Sequence, residues 1–592
     1  MIDPYVPGAL WSPPHHCQFV VWAPQAELVL LHLLPSTTVP MQRTEAGYHQ
    51  VQLDGIHPGQ RYQFELPGGI RRPDPASRKQ PEGVHGPSEV VNPTFDWHDQ
   101  SWIGLPLRDL VLYELHVGTF TPPGTFDGVI DQLGRLHDLG ITGLNLMPVA
   151  QFPGTRNWGY DGVQPYCVQD SYGGTDGLKR LVDAAHARNL AVLLDVVYNH
   201  LGPEGNYLRD FGPYFTDRYR IPWGEAINFD GPDSDRVRHF FLMNALRWQR
   251  EFHLDGLRLD AVHAILDFSA IPFLAELADQ AQREANRLGR PFHLIAESDL
   301  NNARLVRPTA EHGLGMDAFW SDDFHHAVHA RLTGERQGYY EDFGAVSDLV
   351  RVFRDGMVYT GQYSPHRRRK HGNPAQGLRP EQLVVCVQNH DQVGNRAFGE
   401  RLGSLVSPPG QRLAAALLLL SPFTPLLFMG EEHGETRPFL YFTSHGDPAL
   451  AEAVRTGRRA EFAQFNWPGE IPDPQAESTF EQSRLDPSGG DPSLYDLYRS
   501  LIALRRSLPL RGQREVEGQG DSLRVHYQQD CDEVCMVFQL GSERATTEWS
   551  WPAGRWRGLL TSHEEIPTEL LSSGHLRLEL PGLSFAVFRR EE

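Results

Sequence analysis

Four short apolar runs in this sequence each end in polar residues able to do chemistry. One ends Asp195-Val-Val-Tyr-Asn199-His200, and a second reads Gly256-Leu-Arg258-Leu-Asp260-Ala-Val-His263. A third passes from Leu294-Ile-Ala into Glu297-Ser298-Asp299, and a fourth from Val387-Gln388 into Asn389-His390-Asp391-Gln392. Arg258 and Asp260 are two residues apart, so on a strand they share a face. A guanidinium beside Asp260 favours its ionised form, the form a nucleophile needs. Glu297 closes an apolar run, where desolvation raises a carboxyl pKa, and a protonated carboxyl is what a general acid must be. Two carboxyls in opposed environments on neighbouring strands are the equipment of glycoside hydrolysis. Adjacent barrel strands would hold them roughly 5–5.5 Å apart, the spacing of a retaining pair. Taken singly, each residue has a plainer reading. Arg-x-Asp can be an internal salt bridge, Glu297 an ion-pair partner, His390-Asp391 a loop hydrogen bond, and Asp195 a strand-end carboxylate holding neighbouring donors. Their joint placement at successive strand ends points to chemistry.

The elements that must position them alternate. Apolar runs at 111–116, 144–147, 191–197, 256–260, 292–296, 316–319, 383–387 and 426–428 read as strands. Amphipathic segments at 128–139, 177–188, 236–251, 272–286, 324–332 and 411–419 lie between them, and 494–505 supplies the last helix. Eight such units predict a (β/α)8 TIM barrel, whose active site lies at the strand C-termini. An open doubly wound sheet is the runner-up, but no glycine-rich phosphate fingerprint follows the first strand. Residues 1–97 read as an N-terminal β-sandwich with a Pro/Gly-rich linker packed on the next domain. The barrel takes 98–512, with a long Gly-, Pro- and Tyr-rich loop at 198–233, and 513–592 read as a C-terminal β-sandwich.

The 592 residues exceed a single core, and a net charge of −21 argues against nucleic acid or an anionic membrane as partner. The five cysteines are odd in number, and Cys531 and Cys535 read as one face of a strand. They are taken as reduced thiols of a cytoplasmic protein. No secretion signal opens the chain, and the longest apolar run, 413–429, is broken by Ser421, Pro422, Thr424 and Pro425.

The four strand-end motifs, in order, resemble those of the α-amylase clan of glycoside hydrolases. The stretches 157–163, 195–206, 211–217, 256–265, 318–326 and 388–396 are similar, more closely, to the maltooligosyltrehalose trehalohydrolase family. The resemblance implies that Asp260 is the nucleophile, Glu297 the acid/base and Asp391 a third carboxylate holding sugar hydroxyls. Tyr160 would stack under the reacting sugar, with His200 and His390 bonding it and Arg258 beside the nucleophile. His263, Asp322, Asp323, Phe324, His325 and His326, with Gln392, Asn395 and Arg396, would form the leaving-group side. Asp322 and Asp323 have the rival reading of helix caps. The implied reaction cleaves the α-1,4 bond next to the terminal trehalose of maltooligosyl-trehalose, with α-1,4-glucan oligosaccharides as partners and the enzyme a monomer. The alternatives are a branching or debranching enzyme of the same clan and a non-catalytic carbohydrate-binding protein. Branching enzymes usually place an acidic residue where this chain has Gln392. No cofactor and no metal are expected: Asp230, Asp233 and Asp235 read as caps of the helix near Arg236 rather than a calcium cage, and His325, His326 and His329 as a helix face rather than a zinc site.

Overall fold

The computed structural model describes residues 5–462, 470–486 and 489–591. Its centre is a closed barrel of eight parallel strands. They are β1 (Leu112–Leu115), β2 (Gly143–Leu146), β3 (Ala191–Val196), β4 (Gly256–Leu259), β5 (His293–Ala296), β6 (Ala318–Trp320), β7 (Leu383–Val385) and β8 (Thr424–Phe428). All eight lie within a residue or two of the apolar runs. Such runs are apolar because a parallel strand is covered on both faces.

Helices α1 (Phe126–Leu139), α2 (Gly174–His186), α3 (Ser234–Glu251) and α4 (Phe273–Leu288) follow the first four strands. After β5 the described residues carry only two 3-10 turns before β6. Two helices, α5 (Asp322–Thr333) and α6 (Val346–Asp355), follow β6, and the pattern had offered only the first. Then come α7 (Pro408–Leu419), α8 (Pro448–Phe462) and α9 (Pro492–Arg505). Register settles what matters for the site: Asp195 lies beside Arg258, and Leu259 beside Ala296. Asp260 and Glu297 therefore leave adjacent strands at the same height.

N-terminal to the barrel, a four-stranded sheet and a second sheet built on Leu30–Leu33 and Arg61–Leu66 pack as a sandwich. Phe19 of one meets Tyr62 of the other at 5.0 Å. The segment that follows is tied to the barrel: Arg78 reaches Glu251, Lys179 the Pro93 carbonyl, and Trp102 donates to Asp255. The C-terminal strands form one six-stranded antiparallel sheet, including Gln513–Gln519, a polar strand that the hydrophobic pattern had not marked.

Two smaller expectations need correction. Cys531 is exposed in the turn before the strand Asp532–Gln539, while Cys535 is buried within it. At α3, Asp233 is the N-cap residue in a left-handed conformation, φ 63°, and makes no side-chain cap bond. Asp230 instead accepts from the Tyr219 hydroxyl and the Phe268 N–H. Among the described residues no helix is long and apolar enough to cross a membrane.

Candidate active site

The strand ends converge on one guanidinium. Arg258, fully buried on β4, donates from Nη1 to both oxygens of Asp195 at 3.0 and 2.8 Å and to Asp260 Oδ1 at 2.8 Å. Its Nη2 faces Glu297 Oε2 at 3.7 Å, and its plane lies 4.4 Å over the Trp320 ring. Two carboxyls on adjacent strands thus share one cation that cannot be deprotonated. Asp260 has the close hydrogen bond and Glu297 only the distant charge. Burial dominates at Glu297, and with Asp260 and Asp391 nearby it outweighs Arg258 and pushes this carboxyl up to about 8.

The turn after Asp260 is strained. Ala261 has φ 38°, a left-handed conformation that costs an alanine of order 1 kcal/mol. The strain aims the Ala261 N–H at Glu297 Oε2, 2.5 Å away, and the Glu297 carbonyl accepts from Val262 at 3.0 Å. Each carboxyl's strand end is thereby pinned to the other's.

Tyr160 reaches the cluster from the loop after β2. Its turn depends on Gly159, with φ 105° and the Pro148 carbonyl 2.1 Å from where a Cβ would stand. The Asn157 side chain accepts from Gly159 N and donates to Asp161. The Tyr160 hydroxyl donates to Asp195 at 2.6 Å and lies 2.7 Å from His390 Nε2, its ring stacked on the imidazole. His200 bonds the Tyr160 carbonyl and stacks on Trp223, a half-exposed ring at the tip of a hairpin in the long loop. Asp391 begins the turn after β7, 3.5 Å from His390 Nε2, and Asn395 donates to it at 3.3 Å. Gln392 is half-buried beside it, its N–H on Asn389.

The leaving-group residues divide. Asp322 faces the cluster: burial, then Asp391 and Asp299, raise its carboxyl to about 7. His263 is exposed on a 3-10 turn and lines a cavity of about 170 Å³ with Ser298 and Asn302. Asp323, Phe324, His325, His326 and Arg396 are engaged with other parts of the protein, which corrects the sequence reading. Asp323 Oδ2 is taken by Asn301, Val358 N and Tyr359 N. Phe324 is fully buried between Phe353 and Phe423. His325 bonds the Val387 carbonyl and the Tyr340 hydroxyl, and His326 is packed among Tyr339, Tyr340 and Phe343. Arg396 makes a two-pronged ion pair with Glu335. Neither aspartate caps α5; its N-cap residue is Ser321, which makes no side-chain cap bond.

One participant escaped sequence reasoning. Glu114, on β1 and fully buried, accepts both from His390 N at 2.9 Å and from His390 Nδ1 at 2.8 Å. Its only signal is a lone carboxylate in an otherwise apolar strand. Among the described residues, no cluster of His, Cys, Asp or Glu is arranged to hold a metal ion.

The family described as Alpha amylase, catalytic domain matches residues 83–220. The malto-oligosyltrehalose trehalohydrolase of Arthrobacter ramosus is 49% identical over 97% of this chain and 100% of its own. That of Saccharolobus solfataricus is 49% identical over 84% of this chain and 86% of its own. A 1.4 Å crystal structure from Salmonella typhimurium, assigned as an alpha amylase, covers 99% of both chains with a TM-score of 0.90 and 37% identity. With barrel, strand-end carboxylates and relatives in agreement, this chain belongs to the malto-oligosyltrehalose trehalohydrolase family of α-amylase-type glycosidases.

Proposed function

We infer that this chain hydrolyses the α-1,4-glucosidic bond next to the terminal trehalose of maltooligosyl-trehalose, releasing trehalose with retention of configuration. One observation carries the catalytic reading: Asp260 and Glu297 leave adjacent strands at one height around Arg258, the first hydrogen-bonded to the cation and the second raised by burial to about 8. Asp260 attacks the anomeric carbon while Glu297 protonates the departing trehalose oxygen. Glu297, now ionised, takes a proton from water, which attacks the glycosyl-Asp260 ester and frees the enzyme. Asp391 and His390 hold hydroxyls of the reacting sugar, and Tyr160 stacks beneath it. Asp322, with His263 and Gln392, faces the trehalose end.

In this reading the enzyme works as a cytosolic monomer, where its five unpaired thiols are stable. The domains divide near residues 97 and 512, the outer two bracing the barrel. A mass spectrum of the products from a maltooligosyl-trehalose tests the reaction: a free trehalose peak and the shortened oligosaccharide are expected. A branching activity would instead shift the iodine colour of a long glucan without new reducing ends, and that outcome would overturn the assignment.

A further inference from the structure

The chain of contacts from Glu114 to Asp195 fixes where its protons lie. Glu114 is fully buried, and both its oxygens meet His390, one at the backbone N–H and one at Nδ1. Between a carboxyl and an imidazole the shared proton belongs to the imidazole, the stronger base by about two pKa units. Nδ1 therefore carries hydrogen. At the other side of the ring, Nε2 lies 2.7 Å from the Tyr160 hydroxyl. That hydroxyl has one proton, and it goes to Asp195 Oδ2 at 2.6 Å. Arg258 meets both oxygens of Asp195, and although burial outweighs it and raises this carboxyl to about 7, Asp195 is a carboxylate above that pH. The Tyr160 oxygen is then the acceptor, and Nε2 must carry hydrogen as well.

We propose that Glu114 is a positioning residue that fixes His390 as a doubly protonated imidazolium, so that the sugar-binding side of the site holds a second standing cation besides Arg258. This rests on the reading of His390 as a group of the active site. The charged and titratable groups facing the ring are Glu114 and His116 from β1 and its end, Asp195 from β3, Arg258 from β4, Tyr160 from the loop after β2, and Asp391 from its own turn. Trp158 and Trp320 present their rings to it and add no charge. Burial works against the imidazolium, but Glu114 and Asp391 outweigh both burial and Arg258 and bring the ring to about 9. Neighbouring His116 shows what burial does without such a carboxylate: it falls to about 4. The two cations offset the mutual repulsion of Asp195, Asp260 and Asp391, and Glu114 exerts its part without touching substrate.

The pH dependence of kcat/KM tests this in wild type, E114Q, E114D and the pair H390Q and E114Q/H390Q, using whichever α-glucan the wild type cleaves. An amide cannot accept from both His390 N–H groups, so in E114Q the ring should return toward its ordinary value of about 6.5. Protonated His390 would then be about 3% of the total at pH 8 against about 90% in wild type, a further loss of roughly 30-fold, with almost none at pH 5.5. E114D keeps the charge and should regain most of the activity at pH 8, which separates a charge effect from a damaged fold. In the H390Q background E114Q should add no pH-dependent loss. The proposal is overturned if E114Q lowers activity equally at both pH values, if E114D fails to recover it, or if the pH-dependent loss persists without His390. The trehalose-release assay on wild type stands apart from these ratios, so failure of the reaction assignment and failure of this proposal are distinguishable.

Discussion

Replacing Arg258 with lysine separates charge from geometry at the heart of the site. The arginine serves Asp195 and Asp260 from one nitrogen at 2.8–3.0 Å and keeps the other 3.7 Å from Glu297. A lysine retains the charge but presents it as one point on a flexible stem, with no second nitrogen for the fork. Seated on Asp195, it gives up Asp260. A charge-assisted hydrogen bond in a buried site is worth about 1.5–3 kcal/mol. Its loss at the nucleophile should therefore lower kcat/KM roughly ten- to 150-fold. Stability should fall much less than in R258M, which takes the shared guanidinium away from the buried carboxylates Asp195 and Asp260 and should cost about 3–5 kcal/mol. Initial rates on maltooligosyl-trehalose and denaturant midpoints for both variants decide it. R258K at wild-type rate, or R258M at wild-type stability, would refute the claim that this guanidinium organises the carboxylates.

Other outcomes follow from the same contacts. Because Glu297 must be protonated to donate, and burial raises it to about 8, kcat/KM should hold through neutrality and fall as pH rises through about 8; a basic limb near 4–5 would remove Glu297 from the acid role. D322A should depress kcat/KM for maltooligosyl-trehalose ten- to a hundredfold more than for maltooligosaccharides, in line with about 1.5–3 kcal/mol for a lost charge-assisted bond. D323A, which loses the clasp on Asn301, Val358 and Tyr359, should lower the melting temperature and treat both substrates alike; the reverse pattern would exchange the two roles. Activity should survive EDTA, and a loss restored by calcium would show an ion site in the long loop.

Much of this was legible because barrel chemistry is written at strand ends. Apolar runs covered on both faces announce themselves, and the polar residues that stop them are few enough to be read as a set. Arg258 and Asp260 were readable as a pair because strand side chains alternate. The segment 322–326 shows where reading stopped. Successive residues on a helix point about 100° apart, so Asp322, Asp323, Phe324 and His325 cannot all face one ligand. Which of them does depends on how α5 docks, and Phe324, bound for Phe353 and Phe423, sets that rotation. Arg396 was read as a leaving-group residue because its two-pronged partner Glu335 comes from a distant segment, with Glu400, four residues on, adding a longer bond. Glu114 was missed for the opposite reason: its strand reads as core, and only the closing of β1 against β8 brings it to His390. Helix α6 was overlooked although Leu349, Val352 and Phe353 carry a helical spacing and are fully buried.

The most direct measurement is a covalent trap. E297Q cannot assist a poor leaving group or activate water, but an α-maltosyl fluoride needs no acid to depart, so the glycosyl-enzyme should accumulate. Intact mass followed by peptide mapping should then show one maltosyl unit added, on the peptide that contains Asp260. No adduct in natively folded E297Q, or an adduct carried by Asp195 or Asp391, would contradict the assignment of Asp260 as the nucleophile of a retaining glycosidase.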